Sequence, residues 1–225
     1  MKEENIYAVV NGFDRKSSEE AIELSKKHSN IFATIGFHPS EINDIDEDYV
    51  DFLEKNYKNI VAIGEIGLDY YYEKDNKEKQ KELLRQQLSF AEKHNLPVII
   101  HNREATNDIY EILKEYKLKG IMHAFSGSYE MAQKFIEIGF KLGIGGVITF
   151  KNSNLASVMS KLRVEDIVLE TDSPYLTPEP KRGKKNSPLE LKHVIKFISD
   201  IKGVLEEEIC SVTSTTTMAL FDLKL

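Results

Sequence analysis

The chain has 225 residues, 41% of them apolar and 30% charged, with 12 glycines and 6 prolines. That make-up belongs to one globular body with a sizeable core, and it excludes disorder, collagen-like sequence and a disulfide scaffold. Thirty Lys and Arg against 37 Asp and Glu give a net charge of −7, so a polyanionic substrate has to be held by something local, such as a bound cation, rather than drawn in by the overall field.

In chain order, short β-branched runs alternate with amphipathic stretches of helical period. The first run, 6–10, stops at Asn11-Gly12 and is too short for a signal-peptide core. A helix over 18–28 follows, opened by Ser17-x-x-Glu20 as a capping box. Strands are then predicted over 32–35, 60–63, 98–100, 120–122, 141–145 and 167–170, separated by helices over 46–57, 76–94, 105–116, 128–138 and 153–161. Ser187-Pro188-Leu189-Glu190 supplies an N-cap, a proline at the first helical position and a reciprocal Glu, and a pair of helices over 188–200 and 205–220 closes the chain. Cys210, the single cysteine, rules out an internal disulfide, suits a reducing compartment, and reads as a small packing residue of the last helix. No stretch approaches the roughly 20 apolar residues of a membrane span. The expected location is the cytoplasm, with no membrane partner.

Strands that are nearly all apolar, such as Ile-Val-Ala-Ile and Val-Ile-Ile, belong to a parallel sheet covered by helices on both faces. Their starts recur about every 27 residues, the length of a βα unit. The expected fold is α/β, a TIM-like (β/α) barrel with seven of eight strands present. One further unit would bring the chain to the roughly 250 residues typical of that fold. With no linker or composition shift, residues 1–225 are expected to form a single domain.

Four potential metal ligands fall at or just beyond strand ends: Glu65, His101, His123 and Asp172. The carboxyl ends of barrel strands are where such folds build active sites, and two imidazoles with two carboxylates suit a divalent cation. His38 also follows a strand, and both substrate contact and a turn-capping role stay open for it. His94, His193 and His28 are read as structural or surface residues of helices.

Groups suited to phosphate surround these positions. Arg103 lies two residues past His101, Ser126-Gly127-Ser128 opens a helix whose amides can face an anion, and Lys181-Arg182-Gly183-Lys184-Lys185 is the densest basic run. Tyr70, Tyr71 and Tyr72 extend the loop after Glu65, with base stacking and local packing both open to them.

In this order the residues resemble the TatD family of metal-dependent deoxyribonucleases, a group similar to the amidohydrolases. The resemblance runs from about residue 5 to the C-terminus. It is carried by Gly36-Phe37-His38-Pro39, Gly64-Glu65-Ile66-Gly67-Leu68-Asp69-Tyr70, Pro97-Val98-Ile99-Ile100-His101-Asn102-Arg103, His123-Ala124-Phe125-Ser126-Gly127, Glu170-Thr171-Asp172-Ser173-Pro174 and Asn186-Ser187-Pro188. It implies a hydrolase cleaving DNA phosphodiester bonds with one or two divalent ions (Mg, Mn or Zn) per chain. Glu65 then resembles the carboxylate that bridges two metals. His101 and His123 correspond to the remaining ligands of the second metal, and Asp172 to a ligand of the first that also orients the attacking water, while a second carboxylate accepts the proton; Asp172 and Glu65 are the expected catalytic residues. From their residue types and positions, Arg103, His38, Ser126, Tyr70 and Lys185 are the expected substrate contacts.

Two departures from the family pattern stand out. The family begins with a strand ending in a His-x-His pair, and no His-x-His occurs in this sequence; Thr216 stands where Asn is common. The sequence starts where the family's second strand would, so the expectation is a missing first βα unit, with unpaired strand edges that favour self-association. Two other readings fit the same residues: a non-catalytic truncated scaffold, and a related hydrolase of small phosphate esters or cyclic amides.

Overall fold

The computed structural model describes residues 6–72 and 75–224. They fall into two compact units, one up to Gly120 and one from Ile121 onward. The first carries β1 (Ala8–Asn11), α1 (Arg15–Lys27), β2 (Ile31–Ile35), α2 (Tyr49–Asn56), β3 (Ala62–Asp69), α3 (Lys77–Lys93), β4 (Val98–Arg103) and α4 (Thr106–Leu113). Strand order follows the chain and each neighbouring pair is parallel, the sequential winding of a (β/α) barrel. β3 is buried along almost its whole length, as a strand covered on both faces must be. Ile35, Ile63, Ile66, Leu68, Leu84, Leu88 and Ile100 form the core.

From the unit boundary onward come β5 (Gly120–Met122), α5 (Tyr129–Glu137), β6 (Phe140–Ile144), α6 (Leu155–Lys161), β7 (Ile167–Leu169), α7 (Leu191–Lys202) and α8 (Glu206–Phe221). β6 and β7 are parallel, in register from Leu142 opposite Ile167. Phe135, Phe140, Ile144, Ile167, Ile198 and Ile209 are among the buried residues of this unit. Gly203 ends α7 in the left-handed conformation at φ 65°, where glycine carries no Cβ penalty. Lys202 reaches back from the end of α7 and donates to the carbonyls of Ser160 and Leu162 at the C-terminus of α6.

Every predicted strand and helix is present, and the differences lie at the ends. β3 runs on to Asp69, six residues past the predicted stop. Gly64 sits within an irregularity between Ile63 and Ile66 and Gly67 pairs in register with His101, so the glycines are accommodated within the strand and do not end it. α1 begins earlier than predicted because Asp14, not Ser17, is its N-cap: Asp14 accepts from the Ser17 N–H at 2.6 Å, and the Ser17 hydroxyl accepts in return from the Asp14 N–H at 3.1 Å. Ser187 makes no capping hydrogen bond through its side chain. Pro188 opens a short 3₁₀ turn, and α7 starts only at Leu191. Cys210, expected as a packing residue, is exposed on α8; partial burial and then Glu206 and Glu207 raise its thiol pKa, which leaves it a poor nucleophile. Among the described residues no helix is long and apolar enough to cross a membrane.

One polar cluster ties three elements of the first unit together. Tyr70, just after β3, donates its hydroxyl to Asp108 of α4 at 2.7 Å, and Lys81 of α3 pairs with the same carboxylate at 2.8 Å. The Lys81 ammonium and the Tyr70 hydroxyl hold Asp108 below the ordinary carboxylate range. A lowered native pKa stabilises the fold above the unfolded value and loses that contribution as the pH falls through the native one. Asp108→Asn is therefore expected to cost about 0.5–1 kcal/mol at pH 7 in urea unfolding, a modest figure because the pair is part-exposed. The difference should shrink as the pH falls below about 4.

Candidate metal centre

Within the first unit, the loop after β2, the middle of β3 and the later half of β4 bring His38, Glu65 and His101 together, with one ligand atom from each lying within 4.8 Å of the others; Glu65, expected just beyond a strand, lies inside β3 because that strand runs on to Asp69. His101 Nδ1 is 3.0 Å and His38 Nε2 is 3.7 Å from Glu65 Oε1, and the two imidazoles meet edge to face at 4.2 Å. Glu65 owes its position to the bend in β3: its N–H donates to Gly12 O at 2.8 Å, and its side chain is part-exposed between fully buried neighbours.

A second carboxylate, Asp69, stands behind His101. It is 3% exposed, and its Oδ2 lies 3.1 Å from His101 Nε2. Both ring nitrogens thus face a carboxylate oxygen; a cation held beside Glu65 would take the Nδ1 lone pair and leave the proton on Nε2, where Asp69 accepts it. Asp69 Oδ1 meanwhile accepts the N–H groups of Tyr71 and Tyr72, each at 2.9 Å.

The second unit repeats this arrangement. His123 Nδ1 lies 2.9 Å from Glu170 Oε2, and its Nε2 is 3.5 Å from Asp172 Oδ1. The other oxygen of Glu170 accepts the Ala124 N–H at 2.7 Å. Glu170 thus fixes the tautomer that turns the Nε2 lone pair toward Asp172. Ala124 at φ 44° and Asp172 at φ 52° are non-glycine residues in the left-handed region, the kind of local strain that clusters at functional sites. Glu170 fits only because position 143 is glycine: a Cβ there would stand 2.2 Å from Oε2.

The donors are borderline nitrogen and hard oxygen, the chemistry of Zn²⁺, Mn²⁺ and Mg²⁺ sites. Each of His101 and His123 has one ring nitrogen on a supporting carboxylate and the other toward a potential ligand carboxylate. The residues therefore fit a divalent cation.

Two buried glutamines of α3 position the loops of the first unit. Gln87 accepts from the Phe37 N–H at 2.8 Å and donates to Phe37 O at 3.0 Å. Gln80 does the same to Asp69, at 2.9 and 3.0 Å. Both are fully buried, and they hold the peptides beside His38 and His101's partner. In the second unit Asn186, 4% exposed, donates to the carbonyls of Thr171 and Tyr175, each at 2.6 Å, and so pins the loop that carries Asp172.

The expected substrate residues divide. His38 caps the 3₁₀ turn Pro39–Glu41, its Nδ1 accepting from the Ser40 N–H at 3.1 Å, while its Nε2 joins the metal cluster; the capping role and a place in the site coexist. Arg103 is exposed at the end of β4, its guanidinium over the rings of Tyr71 and Tyr72. Tyr70, expected to offer its ring to substrate, is buried with its hydroxyl on Asp108; Tyr71 and Tyr72 are the exposed pair. Ser126 precedes α5 without capping it. Ser128 is the cap, and the Glu130 carboxylate, lowered by its own backbone N–H and the Ser128 hydroxyl, already brings negative charge to that terminus, which disfavours an anion there. Lys185 is exposed in the loop before Asn186, whereas Lys181 pairs with Glu190 at 2.9 Å and Arg182 lies over the Phe150 ring.

The sequence pattern of the family described as "TatD related DNase" matches residues 1–222. The chain belongs to that family. It is 41% identical over 219 residues to a protein of Bacillus subtilis named an uncharacterized metal-dependent hydrolase, YabD, an alignment that covers 95% of this chain and 86% of the relative. YcfH of Escherichia coli K12, with the same description, is 34% identical and is covered over 77% of its length. The crystal structure of YjjV, a TatD homolog from Escherichia coli, superimposes with a TM-score of 0.91 at 29% identity, covering 97% of this chain and 87% of that one. The chain is thus a metal-dependent hydrolase of the TatD family with its TIM-barrel-like α/β fold.

Two substitutions separate positioning from general stability. Asp69→Asn is expected to weaken Mn²⁺ or Zn²⁺ binding by about 10- to 100-fold in calorimetric titration, because an amide facing Nε2 no longer dictates the tautomer. Gln87→Leu strands the Phe37 N–H and C=O and should cost about 2 kcal/mol or more in urea unfolding.

Proposed function

We propose that the chain hydrolyses DNA phosphodiester bonds, with Glu65, His101, His123 and Asp172 as cation ligands. The observation that carries this reading is the paired carboxylate–imidazole–carboxylate geometry at the ends of β4 and β5, which presents one lone pair of each histidine to a potential ligand carboxylate. Family membership supports the metal-dependent chemistry, and the family's description supports the nuclease class.

A bound divalent cation would supply Lewis acidity, lowering the pKa of coordinated water and neutralising charge on the phosphoryl oxygens. The rest falls to the chain. Glu65 and His101 hold their part-exposed donors side by side, with Asp69 fixing the imidazole. His123 Nε2 is aimed by Glu170. Asp172, more exposed than Glu170 beside the same imidazole, is the group we assign to accept the proton from the attacking water. His38 adds a third donor beside Glu65. Arg103 and Lys185 offer local positive charge in an acidic protein, which reconciles a net charge of −7 with a phosphate substrate.

The test is a nuclease assay on the Mn²⁺- or Mg²⁺-loaded chain beside His101→Ala and Asp172→Ala. Metal-dependent cleavage that falls by at least about 100-fold in both variants supports the reading. Cleavage that survives EDTA or both substitutions refutes it, and a parent inactive on DNA but active on a small phosphodiester in the same buffer would favour the small-ester hydrolase.

A further inference from the structure

The first unit carries an arrangement beside the metal cluster in which Arg103 is joined by two exposed rings that the hydrolytic chemistry does not use. Tyr71 is 44% and Tyr72 66% exposed. Their rings stand nearly perpendicular, at 87° with centroids 4.7 Å apart, and the Arg103 guanidinium sits in the corner between them, 4.3 and 4.5 Å from the two centroids. Among the described residues the Arg103 guanidinium makes no hydrogen bond and has no carboxylate partner. Its planar face thus lies on the tyrosines, and no other described residue takes its N–H edge.

Exposed rings of this kind normally pack against something. These are held in place from below. Both tyrosine N–H groups go to Asp69 Oδ1, and the Tyr70 N–H goes to Arg103 O at 2.9 Å. The carboxylate that orients His101 therefore also fixes this corner, two residues along β4 from the ligand. A ring face presented to solvent suits a flat aromatic ligand, and a guanidinium edge suits a phosphate, which it can grip with two parallel hydrogen bonds. The two together match one nucleotide: a base on a tyrosine and its flanking phosphate on the arginine. A base inside a duplex is already stacked on both faces, so the ligand has to come from an unpaired strand or a frayed end.

We propose that Tyr71, Tyr72 and Arg103 form a subsite for one nucleotide of an unpaired DNA strand, next to the metal cluster. The proposal rests on the DNA reading above and deepens it. Arg103 and the backbone anchor set the corner, and the rings supply contact that is indifferent to base identity.

The experiment is binding of a short single-stranded oligodeoxynucleotide carrying 2-aminopurine, whose fluorescence falls when it stacks, to the full chain both metal-free and loaded with Mn²⁺. Quenching is expected with the parent chain and with Tyr72→Phe. Tyr71→Ala/Tyr72→Ala should lose the quenching and bind at least about fivefold more weakly. Replacing the reporter's neighbouring bases by abasic units should weaken binding in the parent and change little in the double variant. Arg103→Gln should flatten the dependence of log affinity on log salt by about 0.7, one phosphate's worth for a single strand. Absence of quenching in the parent under both metal conditions, or a double variant that binds and quenches like the parent, overturns the proposal. Quenching that depends on the tyrosines in a chain that cuts no DNA upholds the subsite and defeats only the hydrolysis reading.

Discussion

The buried carboxylate of Asp69 is the hinge on which the first unit's chemistry turns. One oxygen faces His101 Nε2 and the other gathers two backbone N–H groups of the following turn, while the residue's own peptide is held at both edges by Gln80. Nearly all of its hydrogen-bonding capacity is thus committed to fixed partners in a site almost free of water. A charge so placed is tolerated only because every contact is with a donor. In return the imidazole is limited to one tautomer and one orientation, and the loop that follows starts in a defined direction.

Glu170 does the corresponding work in the second unit through different means. It comes from the end of β7, reaches a glycine-cleared space beside β6, and divides its oxygens between His123 and the Ala124 N–H. The two units share no local sequence pattern at these points, yet each has arrived at a supporting carboxylate on the nitrogen that faces away from a ligand carboxylate. That recurrence is a physical requirement more than a coincidence: an imidazole left to choose its tautomer presents a proton to the cation about as readily as a lone pair.

How much of this could be read from the sequence depends on what kind of signal each part leaves. Strands and helices were legible because apolar runs and helical period survive in any context. Glu65, His101, His123 and Asp172 were legible because a polar residue after an apolar run is conspicuous, although Glu65 and His101 lie inside β3 and β4 and not beyond them. Asp69 and Glu170 were not assigned a role, since a carboxylate behind a histidine has the same letter as one in solvent. Gln80 and Gln87 were invisible for the same reason: in a helix crowded with Lys and Glu they look like surface residues, and only the fold shows that their amides are spent on the backbone. The end of β3 was misjudged because glycines that bend a strand resemble glycines that stop one. Among three consecutive tyrosines, nothing in the sequence says that the first turns inward to Asp108 and the next two outward.

The spacing of the two glutamines limits how α3 can change. They lie seven residues apart, close to two full turns, so both amides leave the same side of the helix. A single inserted or deleted residue between them would rotate one relative to the other by about 100° and carry it off its strand-end peptide. The exposed face of α3 can drift freely in composition, as its Lys and Glu content suggests. Its length between positions 80 and 87 cannot. The helix acts as a ruler for the two loops, and the tolerance of this segment is for substitution, not for insertion or deletion.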